Sequence, residues 1–202
     1  MTDVDYSLSK PKGKLTILQG EEAINLWLKG QDEWNDWVEA NPEAEVSFFE
    51  VDFTKYVLNS MGNCISFEGF NFPSGTTTFR LAKFGSYQIN FVNANFGDGL
   101  TLFSDIDFGE GNISFYEAQF GDGDISFKNR KLLNGDLDFE NTDFSDGLIE
   151  FNNFNLENGN IIFIESNFGK GKIFSHHLIS IIQVLPLIIQ ILIVEILTLI
   201  KY

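Results

Sequence analysis

One short phrase returns with a 12-residue period: Phe96-Gly97-Asp98-Gly99, Phe108-Gly109-Glu110-Gly111, Phe120-Gly121-Asp122-Gly123. A period this short, sustained over residues 63–173, confines the chain to a stack of like units. A single unit is too small to bury its own apolar side, so each must cover the next. With the recurring glycine as position 0, the units begin at Gly75, Gly99, Gly111, Gly123, Gly135, Gly147, Gly159 and Gly171, with Asn63 and Tyr87 as substitutes. Position 2 is Ile, Leu or Thr throughout. Position 4 is Phe without exception: Phe67, Phe79, Phe91, Phe103, Phe115, Phe127, Phe139, Phe151 and Phe163. Position 7 is mostly small or apolar, and position 9 is Phe or Leu. An earlier partial unit shows at Val46, Phe48, Val51 and Phe53, followed by an insertion over residues 54–62.

Positions 2 and 4 alternate, as do 7 and 9. Alternation puts both members of a pair on one side of an extended segment. Glycine recurs too often for helices, and the period is wrong for one. Short stacked strands remain, about 4.8 Å apart, with like residue over like. A 12-residue turn of three short sides has almost no interior and cannot hold two Phe and an Ile at native density. Two units make a four-sided, 24-residue turn, with the nine position-4 phenylalanines as its core ladder. Gly-Asp-Gly becomes an enlarged corner, its glycines supplying unusual backbone angles. The expected fold is all-β: a parallel β-helix, or solenoid. The alternative is an antiparallel meander with a 12-residue period, which needs a bulge in every strand to switch the inward parity.

Units such as Phe91-Val92-Asn93-Ala94-Asn95-Phe96 and Phe115-Tyr116-Glu117-Ala118-Gln119-Phe120 resemble the pentapeptide-repeat family. The likeness covers roughly residues 30–173, including the lead-in Trp34-Asn35-Asp36-Trp37 before Asn41-Pro42. It implies a right-handed, four-sided parallel β-helix with the large and small central residues inward. The chain departs from the family in that spacings of five and seven alternate. Some members mimic DNA and bind topoisomerases, so the resemblance implies that role as an alternative.

Residues 1–45 read as a lead-in and helical cap. A strand is expected near Leu15–Leu18 and helices over 21–29 and 32–40, the second capped by Asp32 and ended by Asn41-Pro42. All three tryptophans lie between 27 and 37. Their expected task is to cover the open end of the stack, as terminal units of repeat proteins must.

The formal charge of −16 disfavours direct contact with nucleic acid or anionic lipid and would attract cations, basic proteins or a basic groove that normally holds DNA; the sequence does not give the protein partner's identity. The single cysteine, Cys64, excludes an intrachain disulfide and fits a reducing compartment. The acidic N-terminus is not a secretory signal. No catalytic set and no cofactor motif is present: His176 and His177 are adjacent outside the repeat, and Gly97-Asp98-Gly99 lacks the Lys-Ser/Thr of a phosphate loop. A non-catalytic structural or interaction protein is therefore expected. A ladder of corner acids (Asp98, Asp122 and Asp146 on one edge, Glu110 on the opposite edge) makes a calcium-binding module a further alternative. Arg130 takes an inward position, where an unpaired guanidinium is costly. It is expected to sit at a local distortion of the corner or to pair with a stacked carboxylate. The tail 174–202 departs from the repeat. Residues 178–200 hold one charge, Glu195, and are long enough for a membrane anchor with the repeat on the cytoplasmic side. A helix packing on the last unit of a cytoplasmic protein, an oligomer seam, or a truncated or frameshifted reading of further repeats are the other readings of the tail.

Overall fold

The computed structural model describes residues 15–57, 63–128, 130–132, 134–152, 154–156 and 159–174. The lead-in comprises strand β1 (Ile17–Gln19), helix α1 (Gly20–Trp27) and helix α2 (Gln31–Ala40). Helix α2 begins at Gln31 behind an N-cap Gly30 with φ of 102°, and no side chain caps it. The expected Asp32 cap is thus corrected. Glycine reaches that φ without strain, so the chain turns there rather than a residue later.

The strands that follow are β2 (Glu45–Ser47), β3 (Cys64–Ser66), β4 (Thr77–Thr78), β5 (Gln88–Asn90), β6 (Thr101–Leu102), β7 (Ile113–Ser114) and β8 (Ile125–Ser126). Beyond them lie β9 (Arg130–Leu132), β10 (Leu137–Asp138), β11 (Leu148–Glu150), β12 (Phe154–Leu156), β13 (Ile161–Ile162) and β14 (Lys172–Phe174). They form a seven-stranded sheet in the order β1-β2-β4-β6-β8-β11-β14, a five-stranded sheet β13-β10-β7-β5-β3, and the pair β12-β9. Every pairing among the described residues is parallel, which rules out the antiparallel meander. Such parallel sheets are compatible with a β-solenoid.

Within the repeat each strand pairs with the strand two units on: Ile65 lies beside Ile89, Thr77 beside Thr101, Ile149 beside Ile173. The 24-residue turn is therefore the true period of the pairing. Isolated parallel bridges continue the same register at position 8, from Asn71 through Asn95, Gln119 and Asp143 to Asn167. The earliest unit differs. Val46 pairs with Thr77, so the insertion lengthens that turn by seven residues without disturbing the pairing. The expected Arg130 distortion falls in β9, whose backbone pairs in regular register with β12, Arg130 beside Phe154. The expected hydrophobic helix beyond Phe174 lies outside the described residues. Among the described residues no helix is long and apolar enough to cross a membrane.

The inward positions are those that the alternation marks. All nine position-4 phenylalanines are buried, and the least buried, Phe163, is only 5% exposed. The register splits them into two columns. Phe67, Phe91, Phe115, Phe139 and Phe163 stack at 4.9 to 5.2 Å with planes within 13°. Phe79, Phe103, Phe127 and Phe151 stack at 5.1 Å. A third column runs from Phe72 through Phe96, Phe120 and Phe144 to Phe168 at 4.5 to 5.3 Å. Rings of different columns meet edge to face, as Phe103 and Phe115 do at 5.4 Å and 78°. Stacking within a column and edge contacts between columns are the two arrangements that the ring quadrupole favours.

Two kinds of corner join the sides. Between positions 4 and 7 the position-7 N–H donates to the position-4 carbonyl, as Ala118 does to Phe115 at 2.9 Å. Position 6 there has positive φ, the pattern of a type II turn. Gly69, Asn93 and Asn141 suit that conformation, but Leu81, Asp105, Glu117 and Glu165 also adopt it. The second positive-φ position is 10, filled by Gly85, Gly97, Gly109, Gly121, Ser145 and Gly169. The position-0 glycines do not have positive φ, which corrects half of the expected role of Gly-Asp-Gly. Their lack of a Cβ matters instead because each lies against a backbone carbonyl of the preceding rung, where a Cβ would come closer than 3.0 Å.

Thr77 occupies position 2, where most units have Ile. It is buried, and its hydroxyl has no hydrogen-bond partner. Replacing it with the near-isosteric Thr77→Val removes that unmet polar group and is expected to stabilise the fold by about 1 kcal/mol, read from the urea midpoint. A loss of stability would show that the hydroxyl is satisfied in solution.

Candidate functional site

The corner acids are brought together in part. Asp98, Asp122 and Asp146 lie on successive rungs of one edge, and Glu110 belongs to the other kind of unit. The Asp98 carboxylate accepts the N–H of Asp122 at 3.2 Å, Asp122 that of Asp146 at 3.4 Å, and Asp146 that of Lys170 at 2.7 Å. A parallel series runs at position 1, where Asn112 accepts from Asp136 at 3.0 Å and Asp136 from the N–H of Asn160 at 2.8 Å. Each acceptor thus ties its rung to the next, and backbone dipoles offset the repulsion between stacked carboxylates. Among the described residues no group of three His, Cys, Asp or Glu side chains could hold a metal ion. The two histidines lie outside the described residues.

Other acids shape the corners. Position-8 carboxylates and amides accept the position-10 N–H two residues on, as Asp143 does from Ser145 at 2.8 Å and Asn95 from Gly97 at 2.9 Å. Position 3 does the same for position 5, as Asp138 does for Glu140 at 2.9 Å. These are the local turns that Asx side chains form. Asp52 belongs to this class. The Thr54 hydroxyl lowers its carboxyl below the ordinary range, outweighing burial, with Lys55 adding to the effect. Burial pushes the Cys64 thiol up, and Glu68 adds to that, so Cys64 is held as the neutral thiol.

The 24-residue register sorts charge between two sides. The units whose strands build the five-stranded sheet carry ten acids: Glu68, Asp98, Glu117, Asp122, Asp136, Asp138, Glu140, Asp143, Asp146 and Glu165. Lys170 is their one basic residue. The intervening units, over residues 75–158, carry six acids against five basic residues. There opposite charges alternate from rung to rung: Arg80 reaches Asp105 at 3.7 Å and Lys128 reaches Glu150 at 2.6 Å. Over residues 75–158 the one side nearly compensates its charge, and the other is anionic apart from Lys170. Read along the chain, the charge looks evenly spread. The signal that separates it is that Lys and Arg between residues 75 and 158 occur only in alternate units.

The anionic side holds a shallow groove of about 390 Å³ along the five-stranded sheet, lined by Cys64, Gln88, Asn90, Asn112, Ser114, Asp136 and Asp138 among others. A second groove of about 400 Å³ lies where α2 meets the first corners, between Asn35, Asp36, Glu39, Asn71, Ser74 and Asn95. Cys64 shares the groove on the anionic side with Asp136 and Asp138, but burial disfavours its thiolate form. Comparison with known proteins gives no matching family, no matching curated protein and no matching solved structure.

Proposed function

We propose that this chain is a non-catalytic interaction scaffold. It is a rod that presents one anionic side to a basic protein partner. The finer fold belongs to the same proposal: a continuous four-sided solenoid with a 24-residue turn, right-handed as the resemblance to pentapeptide-repeat proteins implies. The observation that carries the reading is the segregation of charge, ten acids against one lysine on one side and near balance on the other. Like charges fixed on a rigid surface set up a field that steers an oppositely charged partner and fixes its orientation. Loops would let the charges spread apart, but strands about 4.8 Å apart hold them in rows.

The test uses a fluorescent oligolysine peptide at low salt. Glu117→Gln with Glu140→Gln removes two charges from the anionic side. Glu110→Gln with Glu150→Gln removes two from the other side and changes net charge equally. The first pair is expected to weaken binding about tenfold and to flatten its salt dependence, while the second leaves both nearly unchanged. Equal weakening by both pairs would mean that only net charge matters, and the sidedness would then carry no function. A DNA-mimicking, topoisomerase-binding role would use the same side. It predicts that the chain displaces duplex DNA from gyrase at low salt and that the first pair of substitutions abolishes the displacement.

A further inference from the structure

The row of residues just before the recurring glycine, on the anionic side, has two different ends. It runs Ser74, Asp98, Asp122, Asp146, Lys170, one residue to a rung. Each carboxylate in it uses Oδ1 to accept the N–H of the next rung, which leaves Oδ2 for another donor. Lys170 shows what takes that oxygen. Its Nζ lies 3.9 Å from Asp146 Oδ2, while its backbone N–H donates to Asp146 Oδ1. The chain thus supplies an ammonium to the distal end of the row. For Asp98 and Asp122 the residue one rung on is another aspartate.

At its other end the row runs into the groove of about 400 Å³ beside α2. Ser74 lines that groove and lies against the next rung, where a Cβ added to Gly99 would strike the Ser74 and Gly75 carbonyls. Gly97, next to Asp98, lines it too. Val38, Phe72 and Pro73 contribute buried apolar side chains to its floor. Asp36 and Glu39 stand exposed on its rim, neighbours on one face of α2. Asn71 is the remaining polar group. The Asn95 carboxamide is engaged by the Gly97 N–H two residues on, but two residues beyond Asn71 stands Pro73, which has no N–H. The Asn71 carboxamide is therefore not drawn into that turn and can pair with the N–H and C=O of a second backbone.

An apolar floor suits an apolar side chain, and an acidic rim suits a base beside it. Beyond the groove the carboxylates recur in a straight row at about 4.8 Å. Side chains on one face of an extended peptide recur at about 6.6–6.8 Å, and the long stems of lysine and arginine absorb the difference. We infer that the groove and the row leading from it form one track for an extended basic segment of a partner protein, with a leucine-sized side chain in the groove and basic residues along Asp98 and Asp122. The inference rests on the anionic side being the interaction surface, and it narrows the partner to a linear segment with one apolar anchor among its bases.

The test compares two fluorescent peptides on the full chain at low salt, one of six lysines around a central leucine and one with serine in its place. The parent is expected to bind the leucine peptide about tenfold more tightly. Ser74→Tyr fills the groove from an exposed position without changing charge. It should abolish the preference and leave the serine peptide's affinity within about twofold. Asp98→Asn with Asp122→Asn keeps an oxygen for each rung-to-rung N–H and should weaken both peptides about tenfold, with a flatter salt dependence. Should Ser74→Tyr not fold, Asp36→Asn with Glu39→Gln, at exposed helix sites, gives a second reading, and it should cut the leucine preference at least threefold. Equal binding of both peptides by the parent overturns the track and leaves the anionic-side reading standing, whereas binding of neither overturns both. A leucine preference that survives Ser74→Tyr, or the rim pair, seats the anchor elsewhere and overturns the track as well.

Discussion

Phe115→Ala is expected to destabilise the fold by about 3–5 kcal/mol, the largest loss of any single side chain in the repeat. Phe115 is fully buried midway along its column. It stacks on Phe91 at 4.9 Å and Phe139 at 5.0 Å, and it meets Phe96, Phe103, Phe120 and Phe127 at 5.4 to 6.2 Å. Removing one ring thus strips contacts from six others. The backbone cannot collapse to fill the gap, because strands on both sides hold the rungs apart at their own spacing. The loss includes both transfer and cavity contributions. It is a large share of the roughly 5–15 kcal/mol typical of a whole domain. Because each rung touches only its neighbours, the defect should also weaken coupling along the rod. Urea unfolding is then expected to broaden, with a smaller slope for the main transition. Phe163→Ala removes a ring that, among the described residues, stacks on one phenylalanine of its column, Phe139 at 5.2 Å, and should cost about half as much. Equal losses at the two sites would show that the columns do not hold the rod together. So would a loss at Phe115 no larger than that of trimming a single methyl from a core side chain.

Much of this interior is legible in the residues. Positions 2, 4, 7 and 9 are inward because alternation leaves no other choice, and the doubling of the period follows from the volume of the rings they carry. The Trp-rich lead-in is legible as a cover, since three large rings at one end of a repeat have nowhere else to pack. That the indoles of Trp27 and Trp34 also donate to the carbonyls of Ser66 and Asn71 is not legible, because it depends on where the first turn places those carbonyls beneath the helices. Positive φ at position 6 is hidden for a different reason. Leu81, Glu117 and Glu165 are poor residues for it, each at a cost of about 1–2 kcal/mol, and the position-4 to position-7 hydrogen bond with the packing around it holds them there. Only Gly69, Asn93 and Asn141 in the same column mark it. The corner acids read as mutually repulsive in the sequence. The backbone donors that bind them, one full turn further on, come into view only once the register is known. The acidic side is hidden in the same way, since it exists only after alternate units are placed on different sides.

Gly123→Ala isolates what the position-0 glycine contributes. Were the backbone angle the only constraint, alanine would be tolerated, since Gly123 does not have positive φ. Alanine would even gain some stability by narrowing the unfolded ensemble. The obstacle is contact. A Cβ at Gly123 would overlap the carbonyl oxygen of Gly99 and come within 3.0 Å of the carbonyl carbons of Gly99 and Asp98. All of these are backbone atoms, so no side chain can swing aside. The rungs would have to part at that corner, and parting them lengthens the stacking of Phe96 on Phe120, now 4.5 Å, and the bond from Asp122 to Asp98. The expected loss is about 3 kcal/mol, at the upper end of the usual cost of overpacking. Gly20→Ala provides the complementary case. Gly20 has φ of +58° and nothing within 4 Å of an added Cβ, so its loss should be only the angular cost of about 1 kcal/mol. Glu117→Gly, which relieves φ of 56° at an exposed corner, should gain up to about 1 kcal/mol. Urea midpoints for the three variants separate contact from angle. A Gly123→Ala protein as stable as the parent would mean that the rungs are not packed at strand spacing along this corner, and the 24-residue turn would have to be redrawn.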